Sequence, residues 1–170
     1  MSDVVERLVG AARRYADAHR DDHHVDVRPR LALVVITCMD SRIDLFGLLG
    51  LDIGDAHVLR NAGGVVTDDM IRSLVVSQRA LGTTEVVLVH HTDCGMQKVT
   101  DDAFKADLEA ETGQRPAWAL ESFTDPVADV RQSMARIRSS PFVLHRDFVR
   151  GFVYDVDTCE LVEVDALPPG

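Results

Sequence analysis

Three short segments hold side chains that can do chemistry: CMDSR at 38–42, RNAGG at 60–64 and HHTDCG at 90–95. Two residues separate His91 from Cys94, a spacing that lets both side chains of one turn face a single metal ion. With Cys38 they supply two thiolates and one imidazole, the ligand number of a catalytic zinc that keeps its fourth position open. Soft donors of this kind favour zinc over magnesium or calcium. Cys38 lies far from the other pair in sequence, unlike the compact spacing of a structural zinc finger. A lone cysteine ending an apolar strand is more often a small buried hydrophobe. The HHTDCG segment shifts that balance. Neighbouring side chains of a strand point to opposite faces, so His90 and His91 cannot both reach one ion, and the turn to Cys94 favours His91. His90 is then a packed or hydrogen-bonded neighbour.

If the chain stays extended past Cys38, Asp40 and Arg42 lie on the cysteine's face while Met39 turns away. Two thiolates already offset the charge of a zinc ion, so its water is acidified less than beside three neutral histidines. An aspartate that accepts a hydrogen bond from the nucleophile would orient it. Arg42, paired in bidentate fashion, would keep Asp40 ionised and in place. The structural alternative is an Asp–Arg pair that merely closes a strand-to-helix turn, with Ser41 as the cap.

These segments need a scaffold. The run RLALVVIT (30–37) is continuously apolar and β-branched, as in a strand covered on both faces. A second strand is expected within 55–64, a third at 84–91, and two more, joined by a tight turn, within 150–164. Amphipathic helices are expected over 3–19, 67–82 and 124–141. The first opens on a capping-box pattern of Asp3 and Glu6, and the last has Asp125 as cap with Pro126 in its first position. Alternating strands and helices predict an α/β fold on a mainly parallel central sheet flanked by helices. In such sheets ligands bind outside the carboxyl ends of the strands, where all three chemical segments fall.

The 170 residues, 46% hydrophobic, suit a single domain over 1–170. Within it, 1–29 reads as an N-terminal helical arm and linker and 30–170 as the α/β core. A formal charge of −10 argues against nucleic acid and anionic membrane surfaces as partners. No signal-peptide pattern opens the sequence, and LALVVI is too short to span a bilayer. Three widely spaced cysteines are no disulfide framework, so a cytoplasmic location is expected.

CMDSR, RNAGG and HHTDCGM, in this order and spacing, resemble the β-class carbonic anhydrases, whose motifs are C-x-D-x-R and H-x-x-C. The likeness runs from residue 31 to about 165. It implies one zinc per subunit on Cys38, His91 and Cys94, a catalytic dyad of Asp40 and Arg42, and hydration of CO2 to bicarbonate by metal-hydroxide attack. It also implies a homodimer, or a tetramer of paired dimers, with the N-terminal helix packed on the partner subunit. Ala62, Gly63 and Gly64 are expected to line the apolar substrate pocket. His57 is a candidate proton carrier, though a surface histidine without a role fits it better. The plant-type glutamine upstream of the first cysteine is absent, and Val35 stands where bicarbonate-regulated members carry tryptophan. The chain is therefore similar to the short archaeal-type and mycobacterial-like members. Cys159, in a hairpin turn that favours positive φ, reads as incidental. Two rival readings are a carbonyl sulfide or carbon disulfide hydrolase with the same zinc motif, and a non-catalytic zinc-binding or thiol-redox protein.

Overall fold

A computed structural model describes residues 3–19 and 26–165. Residues 20–25 of the expected linker lie outside the described residues. The elements run α1 (Asp3–Ala18), β1 (Leu33–Cys38), α2 (Leu45–Leu49), β2 (Ala56–Asn61), α3 (Asp68–Leu81), β3 (Glu85–His91), α4 (Asp101–Thr112), α5 (Pro126–Ser139), β4 (Val149–Tyr154) and β5 (Leu161–Val164). Two 3-10 turns, Ala62–Gly64 and Gly95–Gln97, follow β2 and β3.

The sheet order is β2-β1-β3-β4-β5, with every pair parallel except β4 and β5. β1 and β3 are central, which explains their unbroken apolar character: both faces are covered. Val34 and Ile36 point to one side, where Leu74 of α3 and Val130, Met134 and Ile137 of α5 close the core. Val35 points to the other, among Ile43, Leu45, Val89 and Met96. Gly151 of β4 sits directly under α5, and a Cβ there would collide with Val130 Cγ1.

The chain leaves β1 toward β2 on one side and returns as β3 on the other. The crevice at the carboxyl ends of β1 and β3 is thus the point where strand order reverses, the usual ligand position of an open α/β sheet. Two expectations need correction. The expected extended path past Cys38 is replaced by a turn at 41–42. Ser41 caps nothing, because the helix that follows is capped by Asp44, whose side chain accepts from Gly47 N. The helix α4 was not foreseen: DDAFKADLEAET has only Phe104 and Leu108 as large apolar residues, too few to draw a stripe.

Candidate metal centre

Cys38 ends β1 and His91 ends β3, and the two strands pair in parallel over Leu33–Thr37 and Glu85–Val89. Past the last paired residues their donor atoms come together. Cys94 returns from the turn that follows β3. One donor atom from each of Cys38, His91 and Cys94 lies within 4.8 Å of the others, and all three residues are buried. The sulfurs are 4.0 Å apart, against about 3.8 Å for two thiolates on one tetrahedral zinc. His91 Nδ1 is 2.8 Å from the Thr92 carbonyl, to which it donates, leaving Nε2 with its lone pair inward. That Nε2 is buried without a hydrogen-bond partner. A buried, unpartnered imidazole nitrogen aimed at two thiols fits a metal ion, and the donor set fits zinc.

The surroundings of these groups support one thiolate, at Cys38. Hydrogen bonding with Cys94 pulls the Cys38 thiol well below its usual range, against the opposing effect of burial, with help from His91 and the backbone N–H groups of Asp40 and Gly63. Cys94 is pushed up by its bond to Cys38 and by burial. Two thiols this close do not both ionise unaided, and a dication resolves the conflict. Burial pushes the His91 imidazole down, but the nearby Cys38 sulfur carries it above its ordinary value.

The turn after Cys38 brings Asp40 and Arg42 together. Arg42 N and Nε donate to Asp40 Oδ1 at 2.9 and 3.0 Å, and Nη2 donates to Oδ2 at 2.8 Å. The expected bidentate pair is present, although a tight turn rather than strand alternation forms it. The guanidinium holds the Asp40 carboxyl far below the usual carboxylate range. Asp40 Oδ2 lies 3.9 Å from His91 Nε2, beside the metal site but outside its donor group. A zinc ion held by these three candidate donors would keep its fourth position open beside the ionised aspartate.

Gly64 has φ +74°, and a Cβ on it would lie 2.9 Å from Cys38 N. Glycine there lets the RNAGG turn press against the end of β1. Gly63 faces Met96 and Phe123, while Ala62 packs in the cluster that contains Cys38 and Cys94. These are the contacts of the expected pocket-lining residues. His90 turns to the opposite side of the sheet, as expected, with Nε2 2.7 Å from Asp129 of α5. His57 is not a roleless surface histidine: Nδ1 is 2.7 Å from Ser77 Oγ, which in turn meets Thr83 at 2.8 Å. Cys159 is exposed, at φ +62°.

Several positioning side chains escaped the sequence reading. Arg60 donates to the carbonyls of Cys38 and Asp40, both at 2.8 Å, and so pins the loop that carries the dyad. Gln97 accepts from Cys94 N at 2.9 Å and donates to Thr124 O at 3.1 Å. Asp93 bonds Arg42 and Lys98. All three stand in or beside the quoted motifs, but nothing in their spacing says which backbone group they reach.

The carbonic anhydrase family matches residues 33–140. Beta-carbonic anhydrase 1 of Mycobacterium bovis is 55% identical over 136 residues, spanning 80% of this chain and 83% of that protein. A carbon disulfide hydrolase of Acidithiobacillus thiooxidans is 41% identical, over 95% of this chain and 86% of that protein. The crystal structure of a carbonic anhydrase from Streptococcus mutans superposes with a TM-score of 0.89 at 40% identity, covering 97% of this chain and 99% of that one. With its Cys38–His91–Cys94 cluster at the strand ends, the chain belongs to the carbonic anhydrase family, in its β class.

Proposed function

We propose that the protein is a zinc enzyme that interconverts CO2 and bicarbonate, with one zinc per subunit held by Cys38, His91 and Cys94. The observation that carries this reading is the three-donor cluster with an ionised aspartate beside it. When bound, zinc supplies a Lewis acid that makes water nucleophilic near neutral pH. Asp40, kept ionised by Arg42, can only accept a hydrogen bond. It therefore takes one from the incoming water-derived nucleophile and turns a lone pair toward the substrate carbon. CO2 has no proton to offer a carboxylate, so it approaches through the apolar side of the site, near Ala62, Gly63 and Gly64.

We read 30–170 as the α/β core that carries catalysis and 1–29 as an N-terminal helical arm and linker. No residue of α1 is buried, and Val4, Leu8 and Val9 lie exposed along it. A homodimer in which this stripe packs on the partner accounts for that face, since an amphipathic helix must bury it somewhere. Among the described residues no helix is long and apolar enough to cross a membrane. A reducing cytoplasm suits a site that depends on two free thiols.

The test is stopped-flow CO2 hydration by the zinc-loaded protein, with Cys38→Ser and Asp40→Asn beside it. Rapid hydration is expected for the parent. Cys38→Ser should lose zinc and activity together, and Asp40→Asn should keep zinc yet fall about a hundredfold. The carbon disulfide hydrolase likeness calls for a parallel assay of sulfide release from that substrate. Sulfide release without hydration would replace the CO2 reading.

A further inference from the structure

We propose that Asp93, fastened by Lys98, is a positioning residue that fixes the guanidinium plane of Arg42 and so keeps Asp40 off the open metal position. The inference rests on the site roles proposed above for Asp40 and Arg42. Asp40 Oδ2 is 3.9 Å from His91 Nε2. A modest rotation of its carboxylate would bring an oxygen in among the ligands, where it would displace water. Arg42 supplies the opposing hold, yet its side chain is 44% exposed. An arginine that open to water is a loose anchor unless something holds it in turn.

Asp93 does so from the far edge of the guanidinium. Nη1 donates to Asp93 Oδ2 at 2.9 Å, and Nη2 donates to the Asp93 carbonyl at 2.9 Å. The fork toward Asp40 and the fork toward Asp93 together occupy four of the five side-chain N–H groups of Arg42. A planar group held on two edges cannot swing. The second oxygen of Asp93 meets Lys98 Nζ at 2.7 Å, so Asp93 is shared between two cations on this exposed edge. Asp93 adopts φ +51°, and both its carbonyl and its carboxylate accept from Arg42. Aspartate tolerates that backbone, but so do asparagine and glycine. The turn alone therefore does not explain a charged side chain here. The H-x-x-C turn thus carries its two metal ligands and, between them, the brace for the dyad on the C-x-D-x-R turn.

Asp93→Gly keeps the backbone conformation and its carbonyl but removes the carboxylate arm of the brace, Asp93→Asn keeps one side-chain acceptor, and Lys98→Ala frees the anchor. Each would be measured for zinc content, for kcat and KM separately, and by the visible spectrum of its cobalt-substituted form. Asp93→Gly should retain one metal per chain and lose about tenfold in kcat/KM, mostly through kcat. Asp93→Asn and Lys98→Ala should lose less, in the same direction. The cobalt spectrum of Asp93→Gly should shift as a carboxylate joins the metal, and the added Asp40→Asn change should abolish the shift. The proposal is overturned by kcat/KM within twofold of the parent, by loss of the metal, or by an unshifted spectrum. A parent inert toward CO2 would sink the catalytic reading instead, while the cobalt spectra would still decide the brace.

Discussion

A methyl group added at Gly64 would lie 2.9 Å from both Cys38 N and the Thr37 carbonyl carbon, on a backbone already at φ +74°. Neither contact belongs to a side chain that could move aside. Gly64→Ala should therefore cost about 2–4 kcal/mol, combining left-handed strain with displacement of β1. Because the displaced strand end carries Cys38, zinc affinity should fall with stability, and titration against a competing chelator would show it. Gly50 is the matched control. Its φ is +63°, but nothing lies within 4 Å of its added Cβ, so Gly50→Ala should cost about 1–2 kcal/mol by denaturant melt and leave zinc binding intact. The motif residues were legible because zinc chemistry restricts their types. The reason for Gly64 was not, since it lies in a close approach between segments 26 residues apart, a juxtaposition that only the folded sheet creates.

Among the elements, α4 illustrates a helix whose worth lies at one end. Its first residue, Asp101, accepts hydrogen bonds from Leu120 N, Glu121 N, Ser122 N and Ser122 Oγ. That carboxylate fastens the segment that leads to Phe123, which faces Gly63 beside the metal site. The bonds from Ser122 and the neighbouring amides hold its pKa at about 2. The folded value lies below the unfolded one, so the stabilisation is fully present above the ordinary carboxylate range and is lost as pH falls through about 2. Asp101→Ala should lower stability near neutral pH by about 1–3 kcal/mol. The deficit should shrink on acidification, as melts at a series of pH values would show. The long central strands were readable from their apolar runs. The helix α4 and the turn after Cys38 were not, because charged residues and local side-chain bonds define them, and neither leaves a periodic trace.

At the scale of the whole molecule, Cys38 and Cys94 stand 56 residues apart in sequence. A metal shared between them ties β1 to the turn after β3, so its binding energy adds to folding energy. Removing zinc with a chelator should lower Tm by several degrees, and zinc but not magnesium should restore it. Lysine at position 8 should drive any dimer toward monomer, because a charge would sit on the exposed stripe of α1. Sedimentation across a concentration series would read that change, while zinc content should stay constant. The parallel architecture and the place of the site within it were foreseeable from alternating elements and strand-end motifs. A partner for α1 was not, since an apolar stripe does not say what, if anything, covers it. Cys159 brings a different sort of consequence. Of the three cysteines, two are buried in the candidate metal cluster and Cys159 alone is exposed, on the hairpin between β4 and β5. A zinc-loaded chain would thus carry a single accessible thiol, outside the candidate metal cluster. A maleimide on a bead or electrode would capture the molecules through that one thiol, leaving the buried Cys38–Cys94 pair untouched.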